Sequence, residues 1–150
     1  MTKLRFIIGV LFIFLLVGLS FLVAGNSIAL IVDIASFVLV IIAPYILISL
    51  IYSPREQIRM TGEILSGSDS VDTALLNQAL SYLGSLRSII IVSGVLWTLL
   101  GTIGILINLA DPQALGPNFS VALITIIYAL IYILAVIEPL RASAEKKLDR

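Results

Sequence analysis

The sequence predicts an all-α integral membrane protein with four transmembrane helices. Of its 150 residues, 60% are hydrophobic and 12% are charged, whereas a soluble domain carries about 25% charged residues. Four uncharged stretches come close to the ~20 apolar residues that cross a bilayer as a helix. They cover residues 6–24, 34–52, 88–110 and 119–137. This composition argues against a water-soluble enzyme, because a fold of this size has too little interior for so much apolar surface.

The positions of the lysine and arginine residues predict the orientation. All 9 lie before the first stretch, between the second and the third, or after the fourth. Because cytoplasmic segments carry the excess of these residues, we expect both termini and the central loop in the cytoplasm. The chain then divides into a transmembrane hairpin (1–52), a short cytoplasmic helical loop (53–87), a second hairpin (88–137) and a charged cytoplasmic tail (138–150).

The central loop contains the patterns of two short helices. Ser53–Pro54 is typical of a helix start, and Ser70 can cap a second helix that runs into the third span. Apolar residues at helical spacing follow each start, namely Ile58, Ile64 and Leu65, then Leu75, Leu76, Ala79, Leu80 and Leu83. We expect these faces to pack on a neighbouring copy or to lie at the membrane surface.

Chemistry within the chain is limited by its composition. With no Cys and no His, disulfides, thiol catalysis and zinc or haem sites are excluded, and we expect no cofactor. A net charge of zero gives no reason to expect a nucleic acid partner. No ionisable residue lies inside the four stretches. Ion transport across a membrane normally needs one near the midplane, so another subunit would have to supply it.

The third and fourth stretches instead carry small and hydroxylated residues at helical spacing. Small residues allow helices to approach closely in lipid. The candidate positions for packing around a partner helix are Gly94, Gly101, Gly104, Ala122 and Ala129. Thr98, Thr102 and Thr125 are candidates for an ion pathway, because a hydroxyl can coordinate a cation or hold a water beside a partner's carboxylate. For Thr102 and Thr125, a bond back to their own helix is an equal alternative.

Acidic residues stand at the ends of the stretches. Asp33 either caps the helix that follows it or, with Asp111, attracts cations to an outer mouth. Glu138, directly before Pro139, either pairs with Arg141 at the inner interface or accepts ions on exit.

Pro44, Pro139, Tyr128 and Tyr132 also lie in or beside these stretches. Pro44 and Pro139 lack a backbone N–H, so we expect each to free a backbone carbonyl. Tyr128 and Tyr132 lie mid-span, and we expect each hydroxyl to find a partner within the protein.

A series of short motifs runs through the third and fourth stretches and the residues beside them. They are Leu100–Gly101–Thr102, Ala110–Asp111–Pro112, Leu115–Gly116–Pro117–Asn118, the run from Val121 to Tyr128, and Glu138–Pro139. In this order they resemble the MotA/TolQ/ExbB proton channel family, which has a "GT" segment, a "DP…G" outer loop and a "VALxTTxYG" helix ending in proline. Residues 31–36 resemble the "FIDIPS" start of the second helix in the MotA branch. Ile126 replaces the second threonine, and the cytoplasmic loop is far shorter than in MotA proteins.

The resemblance implies a homopentamer around a dimer of single-span MotB/ExbD-like subunits, whose membrane Asp carries H⁺ or Na⁺. The third and fourth helices would line the ring, and the first two would form its outer layer. The chain would then be an ion-conducting, stator-type subunit of an ion-driven motor in a bacterial inner membrane, and no enzyme. A small non-conducting scaffold or assembly protein is the alternative. A lipid-directed enzyme or carrier is disfavoured, because the spans hold no carboxylate pair and no Ser/His pair.

Overall fold

The computed structural model describes residues 3–25, 32–66, 72–107 and 112–149, without the side chains of Pro112 and Ala114. Within these ranges the secondary structure is helical and contains no strand. The helices are α1 (Lys3–Val23), α2 (Ile34–Ile48), α3 (Pro54–Leu65), α4 (Thr73–Ile107), α5 (Pro112–Tyr132) and α6 (Glu138–Leu148). A π-helical turn, Ile133–Ile137, makes α5 and α6 continuous. The predicted all-α class is confirmed.

Three segments are long and apolar enough to cross a membrane: Lys3–Val23, Thr73–Ile107 and Leu115–Leu148. They contain residues 6–23 of the first predicted stretch, residues 88–107 of the third and the whole of the fourth. The second stretch forms α2, which is apolar but shorter. At 1.5 Å per residue, α2 reaches about 22 Å of the ~30 Å hydrocarbon region.

Both prolines follow a π-helical turn, in which backbone bonds run over five residues instead of four. Val38–Ile42 precedes Pro44, and the Ala43 N–H donates to the Val38 carbonyl. Ile133–Ile137 precedes Pro139 in the same way, and the Glu138 N–H donates to the Ile133 carbonyl. Because proline offers no N–H, Pro44 and Pro139 cannot act as donors in the regular α-helical pattern.

A small bundle forms from α3, residues 73–87 of α4, and α6. The buried apolar side chains that these helices contribute include Met60, Ile64, Leu76, Ala79, Leu83, Leu140 and Ala144. The apolar faces of the loop therefore pack against each other and against α6. The expectation that they cover a neighbouring copy or the membrane surface was wrong.

Helix caps determine where the bundle helices begin. The predicted start at Ser53 is confirmed: its hydroxyl accepts the Glu56 N–H at 3.4 Å, and the Glu56 carboxylate accepts the Ser53 N–H at 2.7 Å. Hydrogen bonds from the Ser53 side chain and from the Ser53 backbone lower the pKa of the Glu56 carboxyl. The start of α4 differs from the prediction, since Asp72 is the cap and accepts the Leu75 N–H at 3.0 Å. Ser70 lies outside the described residues.

The buried face of α3 was also predicted only in part. Ile64 is buried, but Ile58 is 74% exposed. Gln57 and Met60 take the inward positions instead. The Gln57 side chain donates to the Ser49 hydroxyl at 2.9 Å and accepts from the Tyr82 hydroxyl at 3.2 Å. A polar residue is tolerated there because its hydrogen-bonding groups are satisfied.

Candidate functional site

The most extensive helix contact in the described chain joins α4 and α5. A Cβ added to Gly94 would lie 2.7 Å from the Ala129 Cβ, and one added to Gly101 would lie 3.1 Å from the Ala122 Cβ. These four residues therefore let the two helices approach each other more closely than larger side chains permit. Between the two contacts, the Thr98 hydroxyl donates to the Ala122 carbonyl at 3.1 Å.

A cavity of about 460 Å³ lies beside this contact, between α4, α5 and the beginning of α2. We call it the polar cavity because hydroxyl and carboxylate groups form part of its otherwise largely apolar wall. Its lining includes five residues singled out in the sequence, which are Asp33, Gly101, Gly104, Ala122 and Thr125. A Cβ added to Gly104 meets no atom within 4 Å. The absence of side chains at the two glycines, and the small side chain of Ala122, leave this space open.

Two buried hydroxyls form part of the polar wall of this cavity. The Ser36 and Thr125 oxygens lie 2.8 Å apart, and the two residues are 2% and 5% exposed. Thr125 also donates to the Val121 carbonyl at 3.1 Å. Each hydroxyl has one proton, and Thr125 uses its own in the bond to Val121. The Ser36 proton therefore goes to the Thr125 oxygen, so Ser36 is the donor of the bond between them. The Ser36 oxygen then keeps its acceptor lone pairs, and no donor to it occurs among the described residues.

Asp33 combines a capping role with a place in the cavity wall. Its carboxylate Oδ2 accepts the Ser36 N–H at 2.8 Å, which confirms the predicted helix cap. The Asp33 N–H donates to the Tyr128 hydroxyl at 3.0 Å. Together with the Ser36–Thr125 bond, this contact fastens the beginning of α2 to the middle of α5. Asp111, the other residue predicted at the outer mouth, lies outside the described residues.

The hydroxyls of Tyr128 and Tyr132, which the sequence predicts to lie mid-span, have partners within the protein as expected. Tyr128 bonds with the Asp33 backbone, as above, and the Tyr132 hydroxyl hydrogen bonds with the Tyr45 hydroxyl of α2. The rings of Tyr45 and Tyr132 also meet edge to face, with their centroids 6.3 Å apart. The tyrosines thus bind α2 to α5 at two levels.

Thr102 forms a bond back to its own helix, which the sequence left open as the alternative to an ion-pathway role. Its hydroxyl donates to the Thr98 carbonyl of its own helix at 2.8 Å, and Thr102 is not part of the cavity wall. The structure therefore does not bring Thr102 and Thr125 together. Thr98 is the threonine of α4 whose hydroxyl reaches the neighbouring helix.

The interface between α4 and the beginning of α6 carries a different ion pair from the predicted one. Glu138 Oε1 lies 3.0 Å from Arg87 Nε, and Arg141 lies 3.5 Å from Glu145 on its own helix. The predicted pairing of Glu138 with Arg141 was wrong. The beginning of α6 packs against α4, so Glu138 meets a cation across the interface rather than one along its own helix.

The sequence reasoning missed Ser36 as a member of the site. Its position three residues after Asp33 indicated a cap partner, and the cap is indeed present. Nothing local indicated that its side chain would reach Thr125, because that contact depends on how α2 packs on α5. Within the described ranges there is no group of His, Cys, Asp and Glu that could hold a metal ion. The wall can instead offer hydroxyl oxygens and one carboxylate to a small cation or to water.

A model of the MotA/TolQ/ExbB proton channel family matches residues 54–147, more than half of the chain. The chain belongs to this family. The match confirms the resemblance seen in the sequence, and it indicates a multi-pass membrane protein with an ion-channel type of function. It covers Thr98, Thr102 and Thr125 but not Asp33 or Ser36.

The chain is also similar to one curated protein. It is 39% identical over 56 residues to the uncharacterized protein YtxD of Bacillus subtilis (strain 168). This segment makes up 37% of the present chain and 21% of YtxD. The matched part of the chain thus spans about a fifth of its relative's length.

Proposed function

We propose that this chain is the ion-conducting, stator-type subunit of an ion-driven membrane motor. Five copies form a ring around a dimer of single-span subunits, and a membrane Asp of each partner carries the ion, H⁺ or Na⁺. The observation that carries the proposal is the polar cavity, where Ser36, Thr125 and Asp33 face a space kept open by Gly101 and Gly104.

The proposed topology has four crossings, with both termini in the cytoplasm of a bacterial cell. α2 is short for a span, but the residues that follow it, up to Tyr52, continue as an uncharged turn. The positive residues lie on one side in this arrangement. The α4–α5 pair then lines the ring, and α1 and α2 form its outer layer.

The hydroxyl groups supply oxygen ligands rather than protons. A hydroxyl that donates its proton to a carbonyl still has acceptor lone pairs, and a cation that sheds water needs such acceptors. Thr98, Thr102 and Thr125 each donate to a backbone carbonyl. All three oxygens therefore keep acceptor lone pairs, and Thr125 is the one of the three that lies in the cavity wall. Ser36 joins it as a ligand because its oxygen has no other donor among the described residues. In a low-dielectric site these ligands act more strongly than in water.

The two ends of the pathway are proposed from charge. Asp33 lies at one end, where its carboxylate attracts cations towards the cavity. Glu138 and Pro139 lie at the other end, where the Arg87 guanidinium holds the Glu138 carboxylate at 3.0 Å. An ion leaving through Glu138 has to compete with this guanidinium.

Single-cysteine crosslinking tests the proposed arrangement, because the chain has no Cys of its own. A Gly104→Cys variant places a thiol in the open cavity, and Gly9→Cys places one on α1 with equal space around it. With the chain isolated from its native membranes, we expect Gly104→Cys to crosslink to a co-purifying single-span protein and Gly9→Cys not to. A chain that forms no ring and crosslinks to no such protein from Gly104→Cys would contradict the proposal and favour the scaffold alternative.

A further inference from the structure

A second cavity lies between α1, α2 and the part of α5 that leads into α6. Its volume is about 530 Å³, and its walls include Phe14 and Gly18 of α1, Phe37 of α2, and Tyr128, Tyr132 and Val136. We infer that this apolar cavity binds one acyl chain of an anionic phospholipid from the leaflet on which Lys3 lies. None of its lining residues belongs to the wall of the polar cavity, so the inference does not depend on ion conduction.

The chemistry of the walls requires an apolar occupant. Apart from the two tyrosines, the named side chains offer only hydrocarbon or aromatic surface. The tyrosine hydroxyls already bond within the protein, Tyr128 to the Asp33 N–H and Tyr132 to the Tyr45 hydroxyl. Water in this space would find few further partners, and a water that makes few hydrogen bonds is poorly held.

The packing of α1 leaves room for such an occupant. No residue of α1 is buried, and a Cβ added to Gly18 meets no atom within 4 Å. An unfilled gap between packed surfaces loses dispersion contacts on both sides. In a membrane, the acyl chains of the surrounding lipid are the apolar groups at hand to fill it.

Lys3 supplies the complement to an anionic headgroup. Lys3 is exposed and forms no ion pair with a described residue. It lies 11 residues before Phe14, about three helical turns, so the two side chains share a face of α1 about 16 Å apart along its axis. Half of the ~30 Å hydrocarbon region has about the same depth. A lipid whose phosphate contacts Lys3 therefore places the end of one acyl chain beside Phe14.

The helix geometry also provides matched controls. Gly9 is nine residues from Gly18, about two and a half turns, and lies on the opposite face of α1. A Cβ added to Gly9 likewise meets no atom within 4 Å. Arg5 is nine residues from Phe14 and so points away from the cavity, although it carries the same charge as Lys3. Gly9→Leu is therefore the control for Gly18→Leu, and Arg5→Gln is the control for Lys3→Gln. Each control makes the same chemical change on the face of α1 that points away from the cavity.

The test is native mass spectrometry of the full chain in mild detergent, with phosphatidylglycerol or phosphatidylcholine added at equal concentration. We expect the wild-type chain and the Gly9→Leu variant to retain phosphatidylglycerol in preference to phosphatidylcholine. The Gly18→Leu variant should lose phosphatidylglycerol, because the leucine side chain fills the cavity. Lys3→Gln should weaken retention about five-fold, and Arg5→Gln should leave it unchanged.

Three results would overturn the inference. The first is equal lipid retention by Gly18→Leu and Gly9→Leu, which would place the lipid elsewhere. The second is equal retention of the two lipids by the wild-type chain, which would remove the role of Lys3. The third is a change in the oligomeric mass of Gly18→Leu with no lipid bound to any variant, which would show that the cavity holds another protein helix.

Discussion

Helix α1 and the α4–α5 pair are both apolar and glycine-containing, yet they pack in opposite ways. The glycines of α1, Gly9 and Gly18, face open space. Gly94 and Gly101 of α4 instead touch alanines of α5. A glycine alone therefore does not predict a helix contact in lipid. What distinguishes α4 is that its small residues meet small residues on the neighbouring helix, at positions separated by about two turns.

The hydroxyl groups of α1 and of the α4–α5 pair also differ in whether they contact another helix. Ser20 of α1 donates to the Val17 carbonyl of its own helix and is exposed. Thr98 donates across to Ala122, and Thr125 is bonded to Ser36 of α2. Two hydroxyls of the α4–α5 region, those of Thr98 and Thr125, thus join helices beside the polar cavity. This difference makes the region suited to a function beyond packing.

The largest expected effect comes from filling the closest helix contact. Gly94→Leu forces a side chain into a position where even a Cβ lies 2.7 Å from Ala129. We expect the free energy of unfolding to fall by about 3 kcal/mol, seen as a lower Tm in detergent. Gly9→Leu is the control on α1 and should leave Tm unchanged. Equal melting of the two variants would show that α4 and α5 do not approach as described.

A smaller effect is expected from the hydroxyl between α4 and α5. Thr98→Val keeps the side-chain shape but leaves the Ala122 carbonyl without this donor. We expect a loss of about 1 kcal/mol in the free energy of unfolding. Ser20→Ala removes an exposed hydroxyl that bonds within α1, and it should cost nothing measurable. If both variants unfold alike, the interhelical bond contributes no stability.

The smallest expected effect is the coupling between Ser36 and Thr125. A double-mutant cycle with Ser36→Ala and Thr125→Val should give a coupling energy of about 0.6 kcal/mol, the average for hydrogen bonds between membrane helices. The cycle separates the bond from the cost of each substitution. Strictly additive effects would mean that the two hydroxyls do not interact.

The sequence predicted those features that depend on neighbouring residues. The Ser53 cap and the Asp33 cap each follow from a few adjacent residues, and the structure shows both. The all-α class follows from the uncharged stretches. Family membership was predicted from the motifs around Gly101 and Thr125.

Features that depend on how helices pack were predicted less well. Glu138 forms an ion pair with Arg87, Gln57 replaces Ile58 on the buried face of α3, and Ser36 reaches Thr125 from another helix. In each case the deciding neighbour is distant in sequence. Thr102 and Thr125 both match the family motif, but the rotation of α4 places Gly101 and Gly104, not Thr102, at the cavity.

Ion flux through the reconstituted protein tests the central claim, that the hydroxyl wall of the polar cavity takes part in ion transfer. The chain and its co-purifying single-span partner are placed in liposomes, and H⁺ and Na⁺ uptake are measured for the wild type, Thr125→Val and Ser120→Ala. Ser120 is an exposed residue of α5 that bonds to its own helix, so Ser120→Ala should conduct like the wild type. We expect Thr125→Val to assemble normally and to conduct about ten-fold less, because a dehydrating ion loses one ligand. Equal flux in all three, at unchanged assembly, would show that these hydroxyls only pack helices.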